Sequence, residues 1–106
     1  MARLSPEAID LVAERFRTLG EPTRLRLLNA LRQGERSVGE LVDAIGATQA
    51  NGSKHLQLLH AAGFVTRRRE GTTVLYHLAD PTVFQLCDLV CGRLDQTLEQ
   101  KRKALR

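Results

Sequence analysis

Residues 37–63 read SVGELVDAIGATQANGSKHLQLLHAAG, and this stretch predicts two short helices joined by a tight turn. Ser37 with a glutamate three residues later has the pattern of a capping box, which predicts a first helix over residues 37–45. Thr48 is a suitable N-cap for a second helix over residues 48–62. Only Gly46 and Ala47 separate the two helices, and so short a connection containing glycine is typical of a helix-turn-helix.

The opening of the second predicted helix is short and polar. Apolar residues begin only at Leu56, so the first two turns are expected to leave the protein surface while the later turns enter the core. In a helix-turn-helix this opening meets base edges in the major groove, and its Gln, Asn, Ser and Lys side chains can bond bases or phosphates. The DNA contacts predicted here are Thr48, Gln49, Asn51, Ser53, Lys54 and His55. An exposed polar helix start without a ligand is the competing interpretation.

The period of the hydrophobic residues changes after Gly63. Residues 64–69 and 73–78 alternate as strands do, and Glu70-Gly71-Thr72 between them predicts a hairpin turn. The residues of this hairpin that are predicted to contact the DNA backbone or the minor groove are Arg67, Arg68, Arg69 and Thr72. Because successive side chains of a strand alternate in direction, Arg67 and Arg69 are expected on one face. The competing interpretation of the arginines is a charged edge that prevents strand aggregation.

Two further helices precede the helix-turn-helix, and one follows the hairpin. Ser5, Pro6 and Gly20 predict the ends of a helix over residues 6–19, and another is predicted over residues 22–32. The last is predicted over residues 81–105, after Asp80. The order is therefore α-α-α-α-β-β-α, a mainly α fold with a small β-hairpin (α+β). Residues 1–106 are predicted to form a single winged helix-turn-helix domain.

The last predicted helix is apolar nearly all round. Its apolar stripe and the residues that widen the stripe are Phe84, Cys87, Cys91, Leu94 and Leu98, then Val83, Leu86, Leu89 and Val90. Such a helix must be buried on more than one side, and a domain of this size has little core to spare for it. The extra face is therefore predicted to meet a second copy of the chain. Two-fold symmetry of this kind would match a palindromic DNA site.

The composition narrows the class of partner. The 106 residues carry a net charge of +4 and a sequence pI of about 9.7, which suits nucleic acid but also an acidic protein or membrane surface. Three Phe, one Tyr and no Trp argue against modules that stack single-stranded bases on aromatic side chains. No apolar run reaches the roughly 20 residues of a membrane span, and no signal peptide is visible. A cytoplasmic protein without membrane contact is expected.

Three segments resemble the ArsR/SmtB family of bacterial winged-helix regulators. They are the second-helix opening GEPTRLRLL (20–28), the recognition helix QANGSKHL (49–56) followed by Leu59, Ala62, Gly63 and Val65, and the wing residues Arg68, Arg69, Glu70, Gly71 and Tyr76. Gly52 departs from the family pattern, in which an apolar residue is usual, and glycine inside a helix costs on the order of 1 kcal/mol relative to alanine. Close approach of its backbone to DNA and a loosened helical turn are both open interpretations.

The resemblance implies a homodimeric repressor that an inducer releases from DNA. It places the first and last helices at the subunit interface, where the predicted contact residues are Ile9, Val12, Phe16, Val83, Cys87, Val90, Leu94 and Leu98. The family's arsenite site uses cysteines of the third helix, and its zinc-type site uses Asp/His pairs of the last helix. The sequence has no cysteine in the third helix and no histidine in the last, so neither site is expected here.

Cys87 and Cys91 are four residues apart and therefore share one face of the last helix. Two thiolates at this spacing could hold a soft metal or metalloid together with a symmetry-related pair, or respond to thiol oxidants or sulfur species. In the third interpretation both are small hydrophobic residues at an interface. No other cofactor is indicated, because His55, His60 and His77 lack metal-ligand spacing.

An enzyme is not expected, because the sequence shows no nucleophile–base pair, glycine-rich phosphate loop or paired carboxylates in apolar surroundings. The remaining alternative to a sequence-specific regulator that binds double-stranded DNA is a winged helix that binds another protein. Such a module does not require both the small polar helix start and the basic hairpin that this chain combines.

Overall fold

Five α-helices and a three-stranded antiparallel sheet make up residues 3–104, which are the residues that the computed structural model describes. In chain order the elements are α1 (Pro6–Leu19), α2 (Pro22–Ala30), a 3₁₀ turn (Leu31–Gln33), β1 (Arg36–Ser37), α3 (Val38–Ile45), α4 (Gln49–Ala61), β2 (Val65–Glu70), β3 (Thr73–Leu78) and α5 (Val83–Ala104). The predicted order of helices and hairpin strands is confirmed, with β1 added to it.

The helix starts follow the capping residues in the sequence. Ser5 Oγ accepts a hydrogen bond of 3.2 Å from the N–H of Ala8 at the start of α1. At α3 the capping box is complete, because Ser37 Oγ accepts from Glu40 N–H at 3.2 Å and the Glu40 carboxylate accepts from Ser37 N–H at 3.1 Å. These side chains pair N–H groups that have no partner inside the helix.

Several predicted boundaries differ from the structure. The start of α3, both ends of α4 and the end of β2 differ by one residue each. The second helix ends at Ala30 instead of residue 32, because the chain tightens into the 3₁₀ turn. The last helix begins at Val83 instead of Pro81, since Asp80 Oδ1 accepts the Thr82 N–H at 2.9 Å and holds a turn there. Its predicted end at residue 105 lies outside the described residues. The first hairpin strand begins at Val65, one residue later than predicted.

The sheet has the order β1-β3-β2, so the hairpin supplies its central strand. The pairing of Glu70 with Thr73 leaves a two-residue turn at Gly71 and Thr72. Gly71 has φ +62°, the left-handed conformation that such hairpin turns require. β1 was not predicted because two residues carry no periodicity. It pairs Arg36 and Ser37 with Tyr76 and Leu75 of β3 and anchors the hairpin to the helical part.

One hydrophobic core joins α2, α3, α4 and the base of the hairpin. Its buried members are Leu27, Leu28, Leu31, Leu41, Leu56, Leu59, Phe64, Val65 and Tyr76. The leucines recur at helical spacing, so α2 and α4 bury one face each. This core fixes the direction in which α4 leaves the domain.

The first and last helices differ from the others because neither contains a buried residue. α5 is held to the domain by its first turns, where Val83 and Phe84 pack against the core and the guanidinium of Arg32 stacks on the Phe84 ring at 4.0 Å from its centroid. None of the helices between residues 3 and 104 combines the length and the apolar character needed to cross a membrane.

Candidate nucleic-acid interface

The turn between α3 and α4 has the geometry of a helix-turn-helix. Gly46 ends α3 with φ +71°, a left-handed conformation for which glycine is suited. The N–H of Ala47 donates to Val42 O at 3.0 Å, and Thr48 Oγ1 accepts the N–H of Asn51 at 3.1 Å. Thr48 is thus the N-cap of α4, the recognition helix of the pair.

The first turns of α4 project from the domain, as the polar sequence predicted. Thr48, Gln49, Asn51 and Lys54 are exposed, and Ser53 is half-buried. Leu56 and Leu59 are fully buried and attach the following turns to the core. The helix therefore has a free polar start and an anchored end.

Gly52 faces the protein and not the solvent. It is buried, and a Cβ built on it would lie well inside 3.0 Å of Val42 Cγ1 on α3. Real Cβ atoms essentially never approach so closely. The glycine therefore permits close packing of α3 on α4, and the two interpretations left open by the sequence, approach to DNA and a loosened turn, are not needed.

His55 requires a correction, because it lies beneath the surface on which the other predicted contacts lie. Its side chain is 11% exposed, and its Nδ1 lies 3.1 Å from Arg24 Nη1 and 3.7 Å from Glu21 Oε2. Arg24 also donates from Nε to the carbonyl oxygen of Thr18 at 2.6 Å. His55 therefore joins the recognition helix to α2 and the end of α1, and its side chain is not free to reach a base.

The hairpin, here called the wing, lies beside α4. All three of its arginines, Arg67, Arg68 and Arg69, border a groove of about 490 Å³ together with Ser53 and Gln57. The expectation that Arg67 and Arg69 share a face agrees with their pairing opposite Tyr76 and Val74 of β3. Thr72 is exposed at the tip.

Gln57 was not predicted as part of this site. It is exposed and lines the groove one helical turn after Ser53. Spacing i, i+4 on a helix could have identified it, since residues four apart share a face. The polar pattern does not indicate Gln57, because the exposed segment that it predicts ends at the first apolar residue, Leu56.

Arg68 also borders that groove, but its guanidinium is bound by carboxylates. Its Nε and Nη2 donate to the two carboxylate oxygens of Glu35, at 2.8 and 2.6 Å, and Nη2 also donates to Glu70 at 3.1 Å. The sequence does not distinguish Arg68 from Arg67 and Arg69, whereas the structure shows that its guanidinium is bound by two carboxylates.

A second surface of interest covers α1 and α5, and it is apolar. The exposed large hydrophobic residues of these helices are Ile9, Leu11, Val12, Phe16, Leu89, Val90, Leu94 and Leu98. Six of the eight predicted interface residues are exposed, and Val83 is half-buried and packs against the core of its own chain. Cys87 is half-buried.

Cys87 and Cys91 line one apolar groove between α1 and α5. The groove has a volume of about 350 Å³, and Phe16, Leu25 and Val90 form part of its wall. Both thiols are free, and Cys91 is exposed. Within residues 3–104 no three His, Cys, Asp or Glu side chains are grouped so that they could hold a metal ion.

Comparisons with known proteins agree with this architecture. Residues 21–67 match the family model described as bacterial regulatory protein, arsR family. The homodimeric winged helix-turn-helix DNA-binding domain Mb0332 of Mycobacterium bovis, described as a possible ArsR-family regulator, is 37% identical with a TM-score of 0.76, covering 94% of this chain and 95% of that one. This chain belongs to the ArsR family.

Two curated relatives of this ArsR-family chain carry repressor names. It is 46% identical over 74 residues to the HTH-type transcriptional repressor SmtB of Mycobacterium tuberculosis, covering 70% of the chain and 55% of SmtB. It is 42% identical over 77 residues to the probable mercury resistance operon repressor of Streptomyces lividans, covering 73% of the chain and 62% of that repressor. The chain thus spans less than two thirds of the length of either relative. The predicted family and the winged helix-turn-helix fold are confirmed.

Proposed function

We propose that this ArsR-family chain is a transcriptional repressor that binds double-stranded DNA in a sequence-specific way. The observation that carries the proposal is the free polar start of α4 beside a groove lined by Arg67 and Arg69. An α-helix of this size fits the major groove, and arginines at its flank can bind phosphates or enter the minor groove. Such a protein would work in the cytoplasm, where the bacterial chromosome lies.

The exposed polar side chains of α4 and the wing fall into two groups, those suited to base contacts and those suited to phosphate contacts. Gln49 and Asn51 are proposed to read bases, because an amide can accept and donate to adenine at once. Thr48, Ser53, Lys54, Arg67, Arg69 and Thr72 are proposed to hold phosphates or to support that contact. Base contacts determine sequence preference, whereas phosphate contacts determine affinity and its dependence on salt.

Selection of bound duplexes from a randomised pool, followed by affinity measurement at several salt concentrations, tests the proposal. An inverted repeat should be selected, with half-site centres about 34–36 Å apart. Gln49→Ala should relax the base preference. Lys54→Ala should lower the magnitude of the salt slope by about 1.8, because each protomer of the dimer loses one phosphate contact of about 0.9. Gln100→Ala and Lys101→Ala, at the far end of α5, are matched controls that should change neither. A wild-type protein that binds no duplex would refute the proposal and favour a protein partner instead.

The proposed DNA-binding unit is a homodimer formed through α1 and α5. Eight large apolar side chains of α1 and α5 are exposed, and Phe16, Val90 and Leu94 among them border one groove between the two helices. Exposed apolar patches of this kind mark interaction sites. Two-fold pairing through that groove would bury it and would present two copies of α4 on one side. The homodimeric state described for the Mycobacterium bovis relative supports a dimer.

Sedimentation equilibrium of two variants tests the dimer. Leu94→Glu places a charge in the middle of the apolar surface, where Leu94 is 54% exposed, and should shift the protein to monomer. Leu58→Glu, at a leucine that is 44% exposed on α4, is the matched control and should leave the dimer intact. A monomeric wild type, or a Leu94→Glu variant that dimerises normally, would contradict the proposed interface.

The inducer is proposed to act at Cys87 and Cys91. One protomer supplies two thiols and, among residues 3–104, no third ligand near them, so a soft metal would require the equivalent cysteines of a second protomer. Their position in the α1–α5 groove places any reaction of the thiols against the proposed dimer interface. One relative is named for mercury resistance, and mercury is a thiophilic metal.

Replacing both cysteines by serine separates the three interpretations of the pair. DNA binding by the variant should persist, while release from DNA by the effective agent should be lost. Challenge of the wild type with arsenite or mercury salts, and separately with peroxide or polysulfide, shows whether a soft ion or a thiol reaction is sensed. An agent that releases wild type and variant alike would show that the cysteines are structural.

A further inference from the structure

The Arg68–Glu35 ion pair connects the wing to the helical part of the domain. Glu35 lies in the loop immediately before β1, which is the strand at the other edge of the sheet. Arg68 belongs to β2, so its side chain must cross the central strand β3 to reach that carboxylate. The contact therefore spans the full width of the sheet near the middle of the wing, where Arg68 pairs with Leu75.

The geometry of this pair is that of a bidentate clamp. Two nitrogens of one guanidinium donate to the two oxygens of one carboxylate, at 2.8 and 2.6 Å. Arginine's planar fork makes such a pair directional as well as attractive. The side chains are only partly exposed, 51% for Arg68 and 29% for Glu35. The hydrogen bonds from Arg68 hold the pKa of the Glu35 carboxyl below its ordinary value, which favours the ionised form in this pair.

We propose that Arg68 is a positioning residue of the wing and not a phosphate contact. All three arginines border the groove beside the recognition helix, but the charge of Arg68 is already compensated by Glu35 and Glu70. Strand alternation directs the side chains of Arg67 and Arg69 to the opposite face of β2 from that of Arg68. Within the described part of the chain, only the two residues of β1 pair with the hairpin from the other edge of the sheet, so the Arg68–Glu35 clamp adds a second tie that fixes where Arg67 and Arg69 lie. The inference rests on the proposed DNA binding and assigns a distinct role to one residue of that surface.

The two possible roles of Arg68, phosphate contact and positioning residue, predict opposite changes in DNA affinity for Glu35→Gln. If Arg68 bound phosphate, loss of the Glu35 charge would free the guanidinium and reduce repulsion of DNA, so affinity would rise. If Arg68 positions the wing, the same change breaks the clamp, and affinity falls roughly threefold to fivefold, the range of a well-formed exposed pair. Asp43→Asn removes a carboxylate that is exposed on α3, and this matched control should leave affinity unchanged or slightly higher.

The experiment measures duplex affinity against salt for the wild type, Glu35→Gln, Arg68→Gln and the double variant. Positioning predicts that both single variants weaken binding, that the double variant is no weaker than either, and that the salt slope stays at the wild-type value. Arg69→Gln, by comparison, should lower the magnitude of the slope by about 1.8, one contact of about 0.9 from each protomer. A stronger-binding Glu35→Gln, or a slope lowered by about 1.8 in Arg68→Gln, would overturn the proposal.

Amide hydrogen exchange of the DNA-free protein gives a second readout. Amides of β2 and β3 should exchange faster in Glu35→Gln and Arg68→Gln than in the wild type and in Asp43→Asn. Unchanged exchange in the wing would overturn the positioning role even if affinity fell. If the wild type binds no duplex, the proposed function fails by itself, and exchange still decides whether the pair orders the wing.

Discussion

Replacing Gly52 by alanine should destabilise the domain, although alanine is the better helix former. Gly52 lies in the first turn of α4, where it is buried against α3, and Val42 opposite it is 5% exposed. A new Cβ would lie well inside 3.0 Å of Val42 Cγ1. Non-bonded carbon atoms keep about 3.5–4.0 Å, so the helices must separate by roughly 1 Å or Val42 must leave its preferred rotamer.

The expected magnitude follows from two opposing effects. Overpacking of a tight buried contact costs about 2–3 kcal/mol, near the upper part of its usual range. Removal of a glycine from a helix interior recovers about 1 kcal/mol. The free energy of unfolding should therefore fall by about 1–2 kcal/mol. Because α3 supports α4, the shift should also reduce DNA affinity.

Urea denaturation followed by circular dichroism, at one fixed protein concentration, measures the effect. Gly39→Ala is the matched control, since its Cβ would meet only Ser37 Oγ at 3.9 Å, and it should be neutral or stabilising. In a Val42→Ala background the colliding methyl group is absent, so Gly52→Ala should become neutral or stabilising there, a coupling of about 2 kcal/mol. A stable Gly52→Ala variant with Val42 present would refute this account of the glycine.

Three further predictions concern other parts of the chain. Gly71→Ala should lower the free energy of unfolding by about 1 kcal/mol, because Gly71 has φ +62° and an alanine is strained in that conformation even where there is room for its Cβ. Gly71→Asn should recover part of this loss, as measured by thermal unfolding. Arg24→Gln should lower the free energy of unfolding by about 1–2 kcal/mol through lost bonds to Thr18 and His55, whereas Arg26→Gln, exposed on the same helix, should stay within about 0.5 kcal/mol. Acid should destabilise the fold, because hydrogen bonds from Arg68 to Glu35 and from Ser37 N–H to Glu40 lower the pKa values of these two carboxyls from 4.5. The stabilisation is present above pH 4.5 and is lost as the pH falls through the lower folded-state pKa values. A free energy of unfolding that stays constant between about pH 5 and 3 would contradict this prediction.

Local signals made most of the fold predictable. Caps at Ser5, Ser37 and Thr48 and the glycines that follow the helices mark boundaries within a few residues, because capping depends on neighbours in the chain. The change from helical to alternating spacing after Gly63 located the hairpin for the same reason. The sequence did not predict β1, because this two-residue strand forms only by pairing with β3.

The candidate site was predictable only in part. The polarity of the first turns of α4 predicts that they are exposed. The partner of α1 and α5 is predicted because these helices carry more apolar residues than the core of one chain can bury. Polarity alone, however, does not tell a contact residue from a supporting one. His55 and Arg68 had the same polar character as Gln49 and Arg67, yet they bind other parts of the protein.

By itself the sequence determined the type and order of the elements, because periodicity and caps act between residues close in the chain. The tertiary structure alone decided which polar side chains remain available. Arg24 meets His55 across 31 positions of sequence and Glu35 meets Arg68 across 33, and pairings at that separation form only once the core has set α2, α4 and the wing against one another.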